Sequence, residues 1–244
     1  MISCETRWVT DNSAPVVAAF DLDGTLTEGG SVFPWLRHIA GSARTYQRVL
    51  RLIVPLGIGA VRSGQWADNA KERLFHGLLA GRALDDVLEA SRVFALGHLA
   101  HEGRVNVLAR LEWHLAHGHD VVIVSASPQI YVEVIAQALG AVAGLGTRLG
   151  VDPRGTLTGS YLGRNCRGRE KMRRLDDWIR AREYLTPPII YAYGNSRGDR
   201  RLLSGATYPF DVGKLGPIGA LHKFPRLSSI DPAVEPGREV TADE

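Results

Sequence analysis

Five consecutive apolar residues, Val16-Val17-Ala18-Ala19-Phe20, stop abruptly at Asp21-Leu22-Asp23-Gly24-Thr25. An unbroken apolar run of that length suits a strand covered on both faces, as strands are in a parallel sheet sandwiched by helices. Two further runs have the same form: Val121-Val122-Ile123-Val124 ends at Ser125, and Ile189-Ile190-Tyr191-Ala192-Tyr193 ends at Gly194-Asn195-Ser196. Between the second and third lie helix-like stretches, Gln129 to Leu139 and Glu170 to Tyr184, with a hairpin or short strands expected around Gly146 to Leu162. Strands alternating with helices predict an α/β fold with a parallel sheet.

From Trp35 to about His117 the pattern is helical only, with apolar residues at three- and four-residue spacing in Ala70 to Leu79 and Val105 to Leu115. Helices inserted between the first two strands predict a separate cap, and the last of them reads as the core helix feeding the second strand. A length of 244 residues accommodates such a core plus insertion. The expected division is a core of residues 15–34 and 104–223, a helical cap of 35–103, and mobile tails at 1–14 and 224–244.

A composition of 45% hydrophobic and 23% charged residues is that of a folded chain. The net charge of +3 comes with scattered arginines and no dense basic run, so nucleic acid is not an expected partner. Cys4 and Cys166 lie far apart and outside any metal-binding or redox pattern, which fits a reducing cytoplasm. The first residues lack the basic start and apolar stretch of a secretory signal. Val49 to Val61 is apolar but interrupted by Arg51, Pro55 and glycines, short of the roughly 18 residues a spanning helix needs. It reads as cap-packing helix, with contact to lipid or a greasy substrate as the lesser alternative.

In open parallel sheets ligands bind beyond the carboxyl ends of the strands. All three strands here end in polar residues: Asp21 and Asp23, then Ser125 and Ser127, then Asn195, Ser196 and Asp199. Asp21 and Asp23 are two positions apart, which on extended backbone turns both to one side. Two carboxylates there repel, so a cation is their natural companion.

The string DLDGTLT after a buried strand resembles the first motif of the haloacid dehalogenase superfamily. Ser125 matches the second, a strand-end hydroxyl that binds phosphoryl oxygens. Lys171, in Gly168-Arg169-Glu170-Lys171, matches the third, a lysine that neutralises the nucleophile and phosphate, with Arg169 and Arg173 as nearby competitors. Gly194-Asn195-Ser196-Arg197-Gly198-Asp199 matches the fourth, except that Asn195 replaces the first acid and contributes no charge to a metal. The resemblance covers roughly residues 16 to 215, and a cap placed after the first motif is similar to the phosphoserine-phosphatase-like subgroup, subfamily IB.

That resemblance implies a Rossmann-like core and a Mg²⁺-dependent phosphatase. Asp21 would be the nucleophile forming an aspartyl phosphate and Asp23 the general acid and base, with Ser125, Ala126 and Lys171 holding phosphate. Magnesium would be held by Asp21, Asp23 through its backbone carbonyl, Asn195 and Asp199. Phosphoserine itself is disfavoured: Gly30 stands where that enzyme's amine-reading acid would be, and its Phe-x-x-Ser-Leu-Arg pattern is missing from Gln65 to Leu74. Glu28 could read an amine but reads better as a surface-loop acid, and Phe33, Trp35, Trp66 and Phe75 are either pocket or, more often at helical spacing, core. The expected substrate is a small phosphorylated metabolite. A phosphotransferase, a lipid phosphomonoester phosphatase and a weakened phosphate-binding module are the alternatives.

Overall fold

The computed structural model describes residues 14–53, 64–213 and 224–227. Strand β1 (Val16–Phe20) is followed by the helices α1 (Val32–Ala40), α2 (Ser42–Ile53), α3 (Gly64–Leu79), α4 (Leu84–Glu102) and α5 (Val105–Ala116). Next come β2 (Asp120–Pro128), α6 (Gln129–Ala138), β3 (Ala143–Thr147), β4 (Leu149–Val151) and β5 (Leu157–Tyr161). The chain continues through α7 (Arg169–Ala181), β6 (Ile189–Gly194), α8 (Arg200–Ser204) and β7 (Tyr208–Asp211).

Five strands form one parallel sheet in the order β3-β2-β1-β6-β7, so the α/β core expected from the alternation is present. Alternate side chains explain the unbroken apolar runs. Ala18, Phe20, Val121, Ile123 and Tyr193 pack in a core shared with Val107 and Leu111 of α5 and with α6. Their neighbours Val17, Ala19, Val122, Val124 and Ala192 pack with Leu175 of α7 and Leu202 of α8. Neither face can tolerate polar residues, which is why β1 carries none.

Two strands escaped the sequence reading. In β3 the sequence is AGLGT, whose glycines exist for packing: a Cβ on Gly146 would lie 2.5 Å from the Gln129 Cα, and one on Gly144 2.9 Å from the Glu133 Cα. Close approach of α6 has removed the β-branched signature. The edge strand β7 is YPFD, and proline is tolerated there because an edge has unpaired positions. Its outer edge is covered by residues 224–227, with the Asp211 N–H donating to the Pro225 carbonyl at 2.8 Å and Leu227 N–H to the Asp211 carbonyl at 3.0 Å. The stretch expected to begin a mobile tail is therefore tied to the sheet at its first four residues. The rest of both expected tails, 1–13 and 228–244, lies outside the described residues.

Chain enters and leaves the helical insertion through one narrow neck. Glu28 N–H donates to the Glu102 carbonyl and Arg104 N–H to the Leu26 carbonyl, both at 2.8 Å. Helix α1 starts at Val32 and so straddles the expected boundary at residues 34 and 35. The β4–β5 hairpin is stitched to this insertion: Tyr161 N–H donates to Glu72 Oε1 at 2.8 Å, and Leu157 exchanges backbone bonds with Gly81 and Arg82 at 2.9 Å. Trp35 and Phe75 are fully buried core, with the Trp35 indole donating to Ser91 Oγ at 2.8 Å. The Phe33 ring lies against Tyr46, while the Trp66 side chain and residues 54–61 of the apolar stretch lie outside the description. Among the described residues no helix is long and apolar enough to cross a membrane.

Beneath β1 and β6 the Phe20 and Tyr193 rings stack at 4.3 Å, and the Tyr193 hydroxyl meets His114 Nε2 at 2.8 Å and accepts from Arg110 Nε at 3.1 Å. Burial, with help from the nearby His119 and Arg110 charges, pushes the His114 pKa down to about 2. In the unfolded chain it titrates near 6.5, so below that pH the unfolded state takes up a proton that the folded state refuses. Stability from this residue is complete above the unfolded pKa and is lost as pH falls toward 2. Replacing His114 by Gln should make the urea midpoint less acid-sensitive, the native chain losing about 1.4 kcal/mol more than the variant between about pH 7.5 and about pH 5.5.

Candidate active site

The last rung between β1 and β6, Asp21 N–H to the Tyr193 carbonyl at 2.9 Å, fixes where the first strand ends. Beyond it the chain turns sharply, with Thr25 N–H and Thr27 N–H both reaching back to the Leu22 carbonyl, at 3.2 and 3.1 Å. Gly24 takes φ +80°, and a Cβ on it would lie 2.0 Å from Asn195 Nδ2. Glycine is thus required twice, for the left-handed turn and for the approach of the loop after β6. The turn places Asp21 almost wholly buried, 5% exposed, with Thr25 Oγ1 donating to its Oδ2 at 2.9 Å.

Lys171, in the first turn of α7, reaches into this spot. Its Nζ donates to Asp21 Oδ1 and, at 2.5 Å, to Asp199 Oδ1. Asp199 precedes α8 and spends its other oxygen organising its own loop, accepting from Ser196 N–H at 3.0 Å and Ser196 Oγ at 2.7 Å. Lysine therefore joins the ends of β1 and β6, while the competitor Arg173 turns away to Glu170 and Asp177. Burial raises the Asp21 pKa to about 7, the Asp199 charge adds to that, and Lys171 opposes both. For Lys171 burial works against the charge, but the Asp199 and Asp21 carboxylates outweigh it and hold the ammonium above its usual range.

Asp23 faces a different set of partners. Its Oδ1 accepts the Ser31 N–H at 2.6 Å and its Oδ2 accepts from Ser127 Oγ. Ser31 Oγ meets Ser127 Oγ at 3.2 Å and the buried Tyr131 hydroxyl at 2.8 Å, so a chain of hydroxyls steadies the carboxylate. Ser125 is fully buried one residue before Ala126, and its Oγ accepts the Ser127 N–H at 3.1 Å. Glu28 pairs instead with Arg104 at 3.6 Å, at the neck of the insertion.

Asn195, Asp199 and Asp21 present hard oxygen donors of the kind magnesium takes. Asn195 Oδ1 is buried without a hydrogen-bond partner, an orphan that a cation would satisfy. No group of three or more His, Cys, Asp or Glu residues placed to hold a metal occurs among the described residues, and Asn195 contributes an amide oxygen in place of a carboxylate. The donor set fits a magnesium ion with fewer charges than a three-carboxylate site.

Sequence reasoning missed the residues that come from elsewhere. Lys71, on α3 of the insertion, donates to the Ala126 carbonyl at 2.6 Å and to Asn165 Oδ1 at 3.3 Å. Burial lowers its pKa to about 8, against the pull of the Asp23 charge. Nothing marks it among the other charged residues of that helix. Ser127 was visible as a second polar residue two places after Ser125, but its partner Asp23 was not.

Replacing Lys171 by Met would leave the Asp21 and Asp199 carboxylates buried without their cation. Urea unfolding in chelator at about pH 8 should show a loss of about 3 kcal/mol, and added Mg²⁺ should recover part of it.

Known proteins resemble this chain in sequence and fold. The haloacid dehalogenase-like hydrolase family matches residues 18–204. Protein CicA of Caulobacter vibrioides is 34% identical over 194 residues, 78% of this chain and 82% of its own length. A Bordetella pertussis Tohama I protein of unknown function shares the fold with TM-score 0.73 and 22% identity, over 89% of this chain and 100% of its own. A substrate-bound phosphoserine phosphatase follows with TM-score 0.56 and 17% identity, covering 82% of this chain and 87% of its own.

Proposed function

Since the chain belongs to the haloacid dehalogenase-like hydrolases, we propose that it is a Mg²⁺-dependent phosphomonoesterase acting on a small phosphorylated metabolite. The observation that carries this reading is the buried Asp21–Lys171–Asp199 cluster beside the orphaned Asn195 oxygen. A binding module has no use for a carboxylate held at the mouth of a sheet with a lysine across it.

In this reading an Asp21 oxygen attacks phosphorus, the bond to the ester oxygen breaks, and the departing oxygen takes a proton from Asp23. Water then gives a proton back to Asp23 and attacks the aspartyl phosphate, releasing inorganic phosphate and regenerating Asp21. Splitting one hard displacement into two lowers each barrier. Lys171 and the Ser125 hydroxyl hold the non-bridging oxygens, with the N–H of Ala126 beside them. The Ser31 N–H and the Ser127 hydroxyl hold the two Asp23 carboxylate oxygens in place. Asp21, Asn195, Asp199 and the Asp23 carbonyl would hold magnesium, whose charge offsets that of the phosphoryl group when bound.

The phosphoserine phosphatases among the structural neighbours do not extend their substrate to this chain. Gly30 offers no acid, and Glu28 is engaged by Arg104.

Release of inorganic phosphate from a panel of phosphomonoesters, with Mg²⁺ or chelator, tests the proposal. Activity should need the metal and fall about a thousandfold or more in Asp21→Asn. Turnover that survives that substitution would overturn Asp21 as nucleophile; absence of turnover by folded protein would favour a phosphate-binding role.

A further inference from the structure

The helical insertion concentrates the positive charge of this chain. Between Trp35 and Arg82 eight lysines and arginines stand against two acids, Asp68 and Glu72, while the whole chain carries only +3, so the remainder is net acidic. Both acids are engaged by the core: Asp68 Oδ1 accepts from Asn165 Nδ2 at 2.7 Å and Glu72 Oε1 from the Tyr161 N–H at 2.8 Å. Between α2 and the end of α3 the insertion is left with arginine. An open cleft of about 540 Å³ there is lined by Arg44, Arg48, Arg51 and Arg82, with no acid in its walls. Among the described residues none of the four pairs with a carboxylate. A Cβ on Gly77 would lie 2.0 Å from Arg48 Nε, so α3 gives up a side chain to seat that guanidinium.

Helix α2, SARTYQRVLRLI, contains no acid at all. Its inner side is marked by the buried Thr45, whose Oγ1 donates to the Leu36 carbonyl of α1 at 3.2 Å. On the outer side exposed residues recur in pairs one turn apart: Ala43 and Arg44, Tyr46 and Gln47, Leu50 and Arg51. An apolar row through Ala43, Tyr46 and Leu50 therefore runs beside a basic row through Arg44, Arg48 and Arg51. Tyr46 is 49% exposed and Leu50 60%, and the Arg37 guanidinium lies 5.7 Å from the centre of the Tyr46 ring.

We propose that this face of the insertion docks on a bilayer surface rich in anionic phospholipid, the arginines meeting headgroup phosphates while Leu50 and Tyr46 enter the interface. A helix with arginine along one side and leucine and an aromatic ring along the other lies flat in such an interface, and guanidinium forks fit phosphate oxygens. A nucleic acid would satisfy the arginines and leave Leu50 in water, and a soluble anion has no use for the apolar row. The inference concerns where the protein sits and does not depend on the phosphomonoesterase reading.

Flotation of the full chain with lipid vesicles tests it. Vesicles of phosphatidylcholine containing about 30% phosphatidylglycerol should carry the protein and vesicles of phosphatidylcholine alone should not, with binding weakening steeply as salt rises from about 0.1 to about 0.5 M. Arg44→Gln/Arg51→Gln should lower the partition coefficient about thirtyfold, at about fivefold per cation, and Leu50→Ser about fivefold. All three positions are exposed, so the urea midpoint of each variant should stay at the native value. Fluorescein-labelled duplex DNA is the competing probe, and its anisotropy should not respond to the native chain at about 0.15 M salt. No flotation with the anionic vesicles, equal flotation with the neutral ones, or a partition coefficient that either variant leaves unmoved overturns the inference. DNA binding that is lost in the arginine variant and untouched by Leu50→Ser also overturns it, by making the face a nucleic-acid surface.

Discussion

A single buried ammonium holds the functional end of this molecule together. Lys171 lies between Asp21 and Asp199, three residues from three segments that meet because β1 and β6 are neighbours and the first turn of α7 brings the lysine to the ends of these strands. Removing three charges from water is expensive, and the arrangement persists because each has a partner at bonding distance. Two carboxylates against one ammonium still leave a net negative charge in a dry place. In the proposed reading magnesium meets that charge, with the unpartnered Asn195 oxygen as a further donor.

The surroundings serve that cluster in two different ways. From below, the sheet fixes backbone: the ladder between β1 and β6 ends at Asp21, and the turn through Gly24 brings the two motif loops into contact. From above, the Ser31 N–H just before α1 holds Asp23, and the Lys71 side chain on α3 reaches the Ala126 carbonyl. The β4–β5 hairpin is bonded to the insertion, so insertion and core are also joined away from the neck.

Much of this was legible in the chain itself. Strands covered on both faces must be apolar throughout, so β1, β2 and β6 announced themselves, and the polar residues ending them had to converge if the sheet was parallel. Asp21, Ser125 and Asp199 were readable for that reason, and Lys171 only through the resemblance of its surroundings to a family motif. The strands that failed to announce themselves, β3 and β7, are ones where packing against α6 demanded glycine or an edge position admitted proline. Phe33, Trp35 and Phe75 could be assigned either to a pocket or to the core, and Trp35 and Phe75 went to the core because buried area favours large rings wherever their polar atoms find a partner.

The sequence by itself determined the α/β core, the inserted helices and the order of the charged residues along the strand ends, because those follow from local periodicity and from the burial of each strand. Only the tertiary structure decided that Asp23 leans on Ser31 and Ser127, that Lys171 and not Arg173 serves Asp21, and that Lys71 enters the site from the cap. These are contacts between residues far apart in the chain. Their energies depend on distance and dielectric in the folded state, and neither quantity is written in the spacing of residues along a sequence.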